Sequence, residues 1–166
     1  MNKSNVVLIG MPGAGKSTIG VLLAKAMRKR FVDTDLLVQQ KYGMFLQDII
    51  DKHGLEKFLQ MEERVVVDLD VKDHVIATGG SVIYSNSAIN HLKRDSTLVY
   101  LKLRFDEIDR RLTDTTSRGI VKENEKSLVD LYNERVPLYE KHADIVFNCS
   151  NKHMEDIVSG IKLKFI

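Results

Sequence analysis

Apolar residues along this chain fall into short β-branched runs separated by stretches with helical spacing. The runs at 6–9, 31–32, 74–77, 97–103 and 144–147 have the length and composition of buried strands. Between and after them, residues 18–27, 46–50, 55–69, 87–92, 106–112, 128–141 and 154–164 place apolar side chains at helical intervals. Strands that alternate with helices predict an α/β fold, a parallel sheet covered on both faces. In such a sheet, ligands sit beyond the carboxyl ends of the strands. The interval 113–127 (TDTTSRGIVKENEKS) breaks the rhythm, being polar, charged and weakly periodic. A segment of this kind reads as a functional lid, with a solvated surface loop as the alternative.

Length and composition narrow the class. A chain of 166 residues predicts one domain, 1–166, with a single well-buried core. Hydrophobic content of 43% and charged content of 29% are those of an ordinary globular protein. A net charge of +2 gives no electrostatic reason to expect nucleic acid or an anionic membrane as partner. The one cysteine, Cys149, excludes an intramolecular disulfide and a cysteine-based zinc site. The histidines His53, His74, His91, His142 and His153 are scattered without metal-ligand spacing. No apolar run reaches the ~18 residues of a membrane span, and the N-terminal residues lack a signal pattern. The expectation is a cytoplasmic monomer.

The chemistry begins at residues 10–18, GMPGAGKST, a complete G-x-x-x-x-G-K-[ST] phosphate loop. It lies between the strand at 6–9 and the helix at 18–27, the context the motif requires. Glycines let successive backbone N–H groups turn toward an anion, and a helix N-terminus adds partial positive charge. Gly13, Ala14, Gly15, Lys16, Ser17 and Thr18 are therefore assigned to ATP. Lys16 is to reach the β- and γ-phosphates, and the Ser17 hydroxyl to ligate Mg²⁺. After the second strand, Asp33-Thr34-Asp35 sets two carboxylates at alternate positions, expected on one side of an extended chain. One is suited to Mg²⁺ or its water shell, the other to orient an attacking hydroxyl.

With these motifs the chain resembles the shikimate kinase family, small P-loop kinases that phosphorylate the 3-hydroxyl of shikimate. The resemblance covers nearly the whole chain: GMPGAGKSTIG at 10–20, DTD at 33–35, GLEKFLQME at 54–62 and VIATGGS at 75–81, then Arg110-Arg111-Leu112, Arg118-Gly119 and YNERVPLY at 132–139. It implies a three-layer P-loop fold with five parallel strands and a mobile lid. By matching position, Asp33 resembles the Mg²⁺-associated carboxylate and Asp35 the residue that holds the acceptor hydroxyl. Gly79 and Gly80 resemble the turn whose backbone lies against the substrate. Arg111 resembles the residue near the adenine, and Arg118 the lid arginine that reaches the phosphates. Arg135 resembles the arginine that grips the substrate carboxylate, a task for a planar, always-charged fork.

The chain departs from the family where the acceptor binds. The family reads F-R-x-x-E where this chain has Phe58-Leu59-Gln60-Met61-Glu62, so Leu59 replaces the second carboxylate-binding arginine. The glycine turn ends in Ser81, Leu55 replaces an acidic residue, and Gly119 follows Arg118 in place of proline. Lys57 and Arg64 are not on the Leu59 face of a helix, leaving Arg104 or Lys122 as replacement cations. Three readings stay open: a shikimate kinase, a kinase of another hydroxy acid or polyol, and a nucleotide-binding protein without kinase activity. A GTPase is disfavoured because Asn151-Lys152 is followed by His153-Met154 and no D-x-x-G occurs. Tyr132 and Tyr139 are expected to pack in the core or at a hinge.

Overall fold

A computed structural model describes residues 3–113 and 126–166. Strands β1 (Asn5–Ile9), β2 (Arg30–Asp33), β3 (His74–Ala77), β4 (Ser96–Lys102) and β5 (Ile145–Asn148) form one parallel sheet in the order β2-β3-β1-β4-β5. All five residues of β1 are buried, as its continuous apolar run requires of a central strand. It is in register with β3 (Val7 opposite Ile76) and with β4 (Val7 opposite Leu98). The fold class read from the sequence is the one observed.

Eight α-helices connect and cover the strands: α1 (Lys16–Met27), α2 (Thr34–Tyr42), α3 (Leu46–His53), α4 (Leu55–Val67), α5 (Asn86–Asp95), α6 (Phe105–Thr113), α7 (Leu128–His142) and α8 (Met154–Lys162) among the described residues. Helices α1 and α8 pack on each other, while α5 packs on α4 and β4, and α7 on β4. Right-handed crossovers from this strand order put the two groups on opposite faces. No helix among the described residues is long and apolar enough to cross a membrane.

Two apolar clusters divide the labour. The larger wraps the sheet and includes Leu8, Leu23, Ile76, Leu98, Val99 and Ile157. A smaller one joins Val38 of α2, Ile49 of α3, and Phe58, Met61 and Val65 of α4. The three helices that carry it form one side of the cleft described below. The sequence pattern missed α2 because Leu36, Leu37 and Val38 are consecutive and leave no clear periodic stripe; Leu36 is exposed. It also began α1 two residues late, since Lys16 is the first helical residue. Cys149 is buried just past β5, and no cluster of potential metal ligands occurs among the described residues. Tyr139 stacks on Tyr100 and Tyr132 meets the edge of Phe105, so both tyrosines pack as expected.

Candidate active site

A cavity of about 450 Å³ opens beyond the carboxyl ends of β1, β2 and β3. Its floor is the phosphate loop. Gly13 and Gly15 have φ of 81° and 89°, conformations that L side chains rarely adopt, and Gly15 directly precedes α1. Lys16, only 8% exposed, folds back so that Nζ donates to Gly10 O at 2.7 Å and Met11 O at 2.9 Å. Burial lowers its pKa to about 8, opposed chiefly by the nearby Asp35 carboxylate. Gly13, Gly15, Lys16, Ser17 and Thr18 line the cavity. Ala14 buries its methyl in the core and its N–H donates to Met11 O, so its side chain does not face the ligand space. Arg111 stands behind the loop and donates from Nη1 to Gly13 O at 3.1 Å.

The two aspartates do not share one face of an extended chain, which corrects the sequence expectation. The strand ends at Asp33, which becomes the N-cap of α2, and Asp35 already lies in the first helical turn. Asp33 Oδ1 accepts from the Asp35 backbone N–H at 2.9 Å, while its Oδ2 accepts from Ser17 Oγ at 2.5 Å. Asp35 turns instead into the cavity. Burial there, reinforced by Asp33, raises its pKa to about 6, with Lys16 opposing.

The opposite wall is built from the turn after β3 and from α7. Gly79 and Gly80 line the cavity, and each has a reason to lack a side chain. A methyl on Gly79 would fall 2.5 Å from Glu62 Oε2 and 2.7 Å from Asp35 Oδ1; one on Gly80 would fall 2.8 Å from Pro12 Cδ. Ser81 has an ordinary right-handed conformation (φ −88°, ψ −4°), so this position makes no demand for a third glycine. Arg135 is 1% exposed. Its Nε donates to the Tyr84 hydroxyl at 3.2 Å, and its guanidinium lies 5.3 Å from the Tyr84 ring centroid. Its Nη2 is buried without a hydrogen-bond partner, although the residue lines the cavity. Tyr139, one helical turn further along α7, donates to Gly80 O at 2.6 Å and ties the two elements together.

Leu59 is half-buried and packs on the smaller apolar cluster without lining the cavity. Arg104, considered as a replacement cation, is spent on a forked pair with Asp106 at 3.1 and 3.2 Å and is absent from the cavity wall. Lys122, Arg118 and Gly119, with the rest of 114–125, lie outside the described residues. Sequence reasoning gave no role to Glu62 or Tyr84. Glu62 is a fully enclosed cavity residue whose Oε1 accepts from Ser81 Oγ at 2.8 Å. Burial, with Asp35 adding to it, raises its pKa to about 7. The signal for it was present: a glutamate among Phe58, Met61, Val65 and Val66 on the apolar stripe of α4.

Known proteins share the sequence and the fold of this chain over nearly its whole length. The family model described as shikimate kinase matches residues 12–165. A shikimate kinase of Caldanaerobacter subterraneus subsp. tengcongensis is 36% identical over 165 residues, covering 98% of this chain and 96% of that one. Among solved structures, a shikimate kinase from Acinetobacter baumannii in complex with shikimate superimposes with a TM-score of 0.89 at 29% identity, covering 98% and 92% of the two chains. One from Aquifex aeolicus gives a TM-score of 0.82 at 33% identity, covering 97% and 95%. With a phosphate loop, a buried acid and a buried arginine on one cleft, and matches over nearly its full length, this chain belongs to the shikimate kinase family.

Proposed function

We propose that this protein is an ATP-dependent shikimate kinase, transferring the γ-phosphoryl group of ATP to the 3-hydroxyl of shikimate. The observation that carries the reading is Arg135: a buried guanidinium with an unpartnered Nη2, on the wall of the cleft that also holds Lys16 and Asp35. A buried cation with a free N–H matches a carboxylate-bearing ligand, because charge-assisted hydrogen bonds are the strong ones. Asp35 then holds the acceptor hydroxyl and takes its proton as the oxygen attacks phosphorus. Lys16 and the loop N–H groups stabilise charge on the transferring phosphoryl group. Arg118, in the 113–127 lid, is assigned the same task on closure by its resemblance to the family's lid arginine.

Ser17 Oγ and Asp33 Oδ2 are hard oxygen donors held together beside the loop, the donor type Mg²⁺ takes. These two residues would hold the ion, which when bound would neutralise phosphate charge. The expected cytoplasmic, monomeric state is part of the same proposal.

Leu59 supports a second reading, a kinase of a less acidic alcohol. Among the described residues, Lys16 and Arg135 supply the cations on the cavity wall. Losing one charge-assisted hydrogen bond weakens binding by about 1.5–3 kcal/mol, roughly ten- to a hundredfold. A coupled ADP-release assay against shikimate and a panel of small hydroxy acids and polyols separates the two. Shikimate giving the highest kcat/KM supports the proposal; a polyol without a carboxylate outrunning it supports the second reading.

A further inference from the structure

Arg135 reaches the cavity wall, but the groups that hold it do not. Tyr84, the last residue of the turn Val82–Tyr84, accepts from Arg135 Nε at 3.2 Å, and its ring centroid lies 5.3 Å from the guanidinium carbon. The Tyr84 hydroxyl in turn donates to Glu134 Oε1 at 2.6 Å. The other oxygen of Glu134 accepts from Lys126 Nζ at 2.7 Å, so this carboxylate is pinned at both ends. Glu134 and Arg135 are consecutive on α7 and leave the helix on different faces; the phenol joins them from outside it. Each group is in the protonation state the chain of bonds requires. Burial and the bond to Glu134 raise the Tyr84 pKa, while Lys126 and Tyr84 lower that of Glu134. The guanidinium is thereby oriented: Nε is on Tyr84, Nη1 faces the Gly80 turn, and Nη2 is buried without a partner.

We propose that Tyr84 is a positioning residue for the acceptor: anchored by Glu134, its hydroxyl and ring set the plane of the Arg135 guanidinium so that Nη2 is aimed at an acceptor carboxylate. This inference rests on reading the cleft as the site of a carboxylate-bearing acceptor. A guanidinium meets a carboxylate best in its own plane, so the tilt of the group decides the strength of the pair. Rotations frozen before the ligand arrives are not charged against binding. The demand is heavier in this chain because Leu59 does not line the cavity. Among the described residues, Lys16 and Arg135 supply the cations on its wall, and Lys16 is turned to the loop carbonyls. Carboxylate recognition therefore falls on Arg135, and its aim falls on Tyr84. A phenylalanine at 84 would keep the ring but leave the buried Nε without this acceptor.

The test sets hydroxy acids, shikimate among them, against their carboxamides, which are close in shape but uncharged. KM and kcat come from the ADP-release assay, and affinities from calorimetry on protein loaded with a non-hydrolysable ATP analogue. The wild-type protein is expected to favour the acid roughly ten- to a hundredfold in KM. In Tyr84→Phe this preference falls about three- to tenfold, the loss of one neutral hydrogen bond, while affinity for the ATP analogue holds. Glu134→Leu, which removes the anchor, shows a similar fall; in Glu134→Gln, whose amide oxygen still accepts from the phenol, most of the preference survives. The double variant Tyr84→Phe/Glu134→Leu loses little more than either alone, because the two residues act as a unit. Should Tyr84→Phe fail to fold, Glu134→Leu and Glu134→Gln carry the test. A preference undiminished in Tyr84→Phe or Glu134→Leu, losses that add in the double variant, or a fall in kcat with KM unchanged overturns the inference. Shikimate and its carboxamide turned over with equal KM leave the kinase reading intact and sink this one. A Tyr84-dependent preference for another acid, with shikimate inert, does the reverse.

Discussion

Lys16 holds its charge where water scarcely reaches it, on two loop carbonyls and within the field of the Asp35 carboxylate. Removing it with Lys16→Ala is expected to lower kcat at least a hundredfold with the fold retained, as read by ADP release and circular dichroism. Asp35→Asn, which keeps shape but not basicity, is expected to lose about 10²–10⁴-fold in kcat. At position 59 the expected change is a gain. Leu59 adjoins Phe58 on α4, which lines the cavity, so Leu59→Arg extends a long cation from beside that wall. It is expected to lower the KM for shikimate roughly tenfold or more; an unchanged KM would place position 59 beyond the acceptor's reach. Single residues were unevenly legible in the sequence. Lys16 and Ser17 announce themselves through loop spacing, whereas Arg135 reads as a surface helical cation before Pro137 until the family pattern is laid over it. The place of Glu62 on the apolar stripe of α4 marks it as buried, but the sequence does not tell whether a buried carboxylate faces a cavity or a partner.

Helix α2 shows how one element serves fold and site together. Asp33 caps it through the Asp35 N–H and at the same time accepts from Ser17, so a single carboxylate joins the helix start to the phosphate loop. Its two roles separate by substitution. Asp33→Ala removes the cap and is expected to destabilise the protein by about 0.5–2 kcal/mol. Asp33→Asn preserves the cap, so its thermal midpoint stays close to wild type while the magnesium concentration needed for half-maximal activity rises. Equal loss of stability in both variants would contradict the capping role. Strands and most helices were visible in the pattern because their apolar periodicities are clean. Helix α2 was not, and reading Asp33-Thr34-Asp35 as extended chain followed from missing it. A strand that stops at an N-cap changes where the second carboxylate points, and only the backbone reveals that stop.

Across the whole molecule, a parallel sheet brings the ends of β1, β2 and β3 to one edge, and the loop, the aspartates and the glycine turn follow from that order. Gathering Lys16, Asp35, Glu62 and Arg135 in one enclosed cleft has a consequence for stability. In the unfolded chain Glu62 releases its proton near its ordinary 4.5; in the folded protein it keeps it until about pH 7. Between those values the folded state binds more protons, so the contribution of Glu62 to stability falls as pH rises. Thermal unfolding is therefore expected to show Glu62→Gln gaining on the wild type from pH 5 to pH 8; a constant difference would mean the carboxyl is not perturbed. The central claim is that these groups act together on ATP and one alcohol. Phosphorus NMR of a reaction with ATP, Mg²⁺ and shikimate tests it most directly. The expected spectrum contains ADP and a shikimate phosphomonoester in equal amounts, with the ester absent for Asp35→Asn. ADP accompanied only by free phosphate, or no conversion at all, would contradict it.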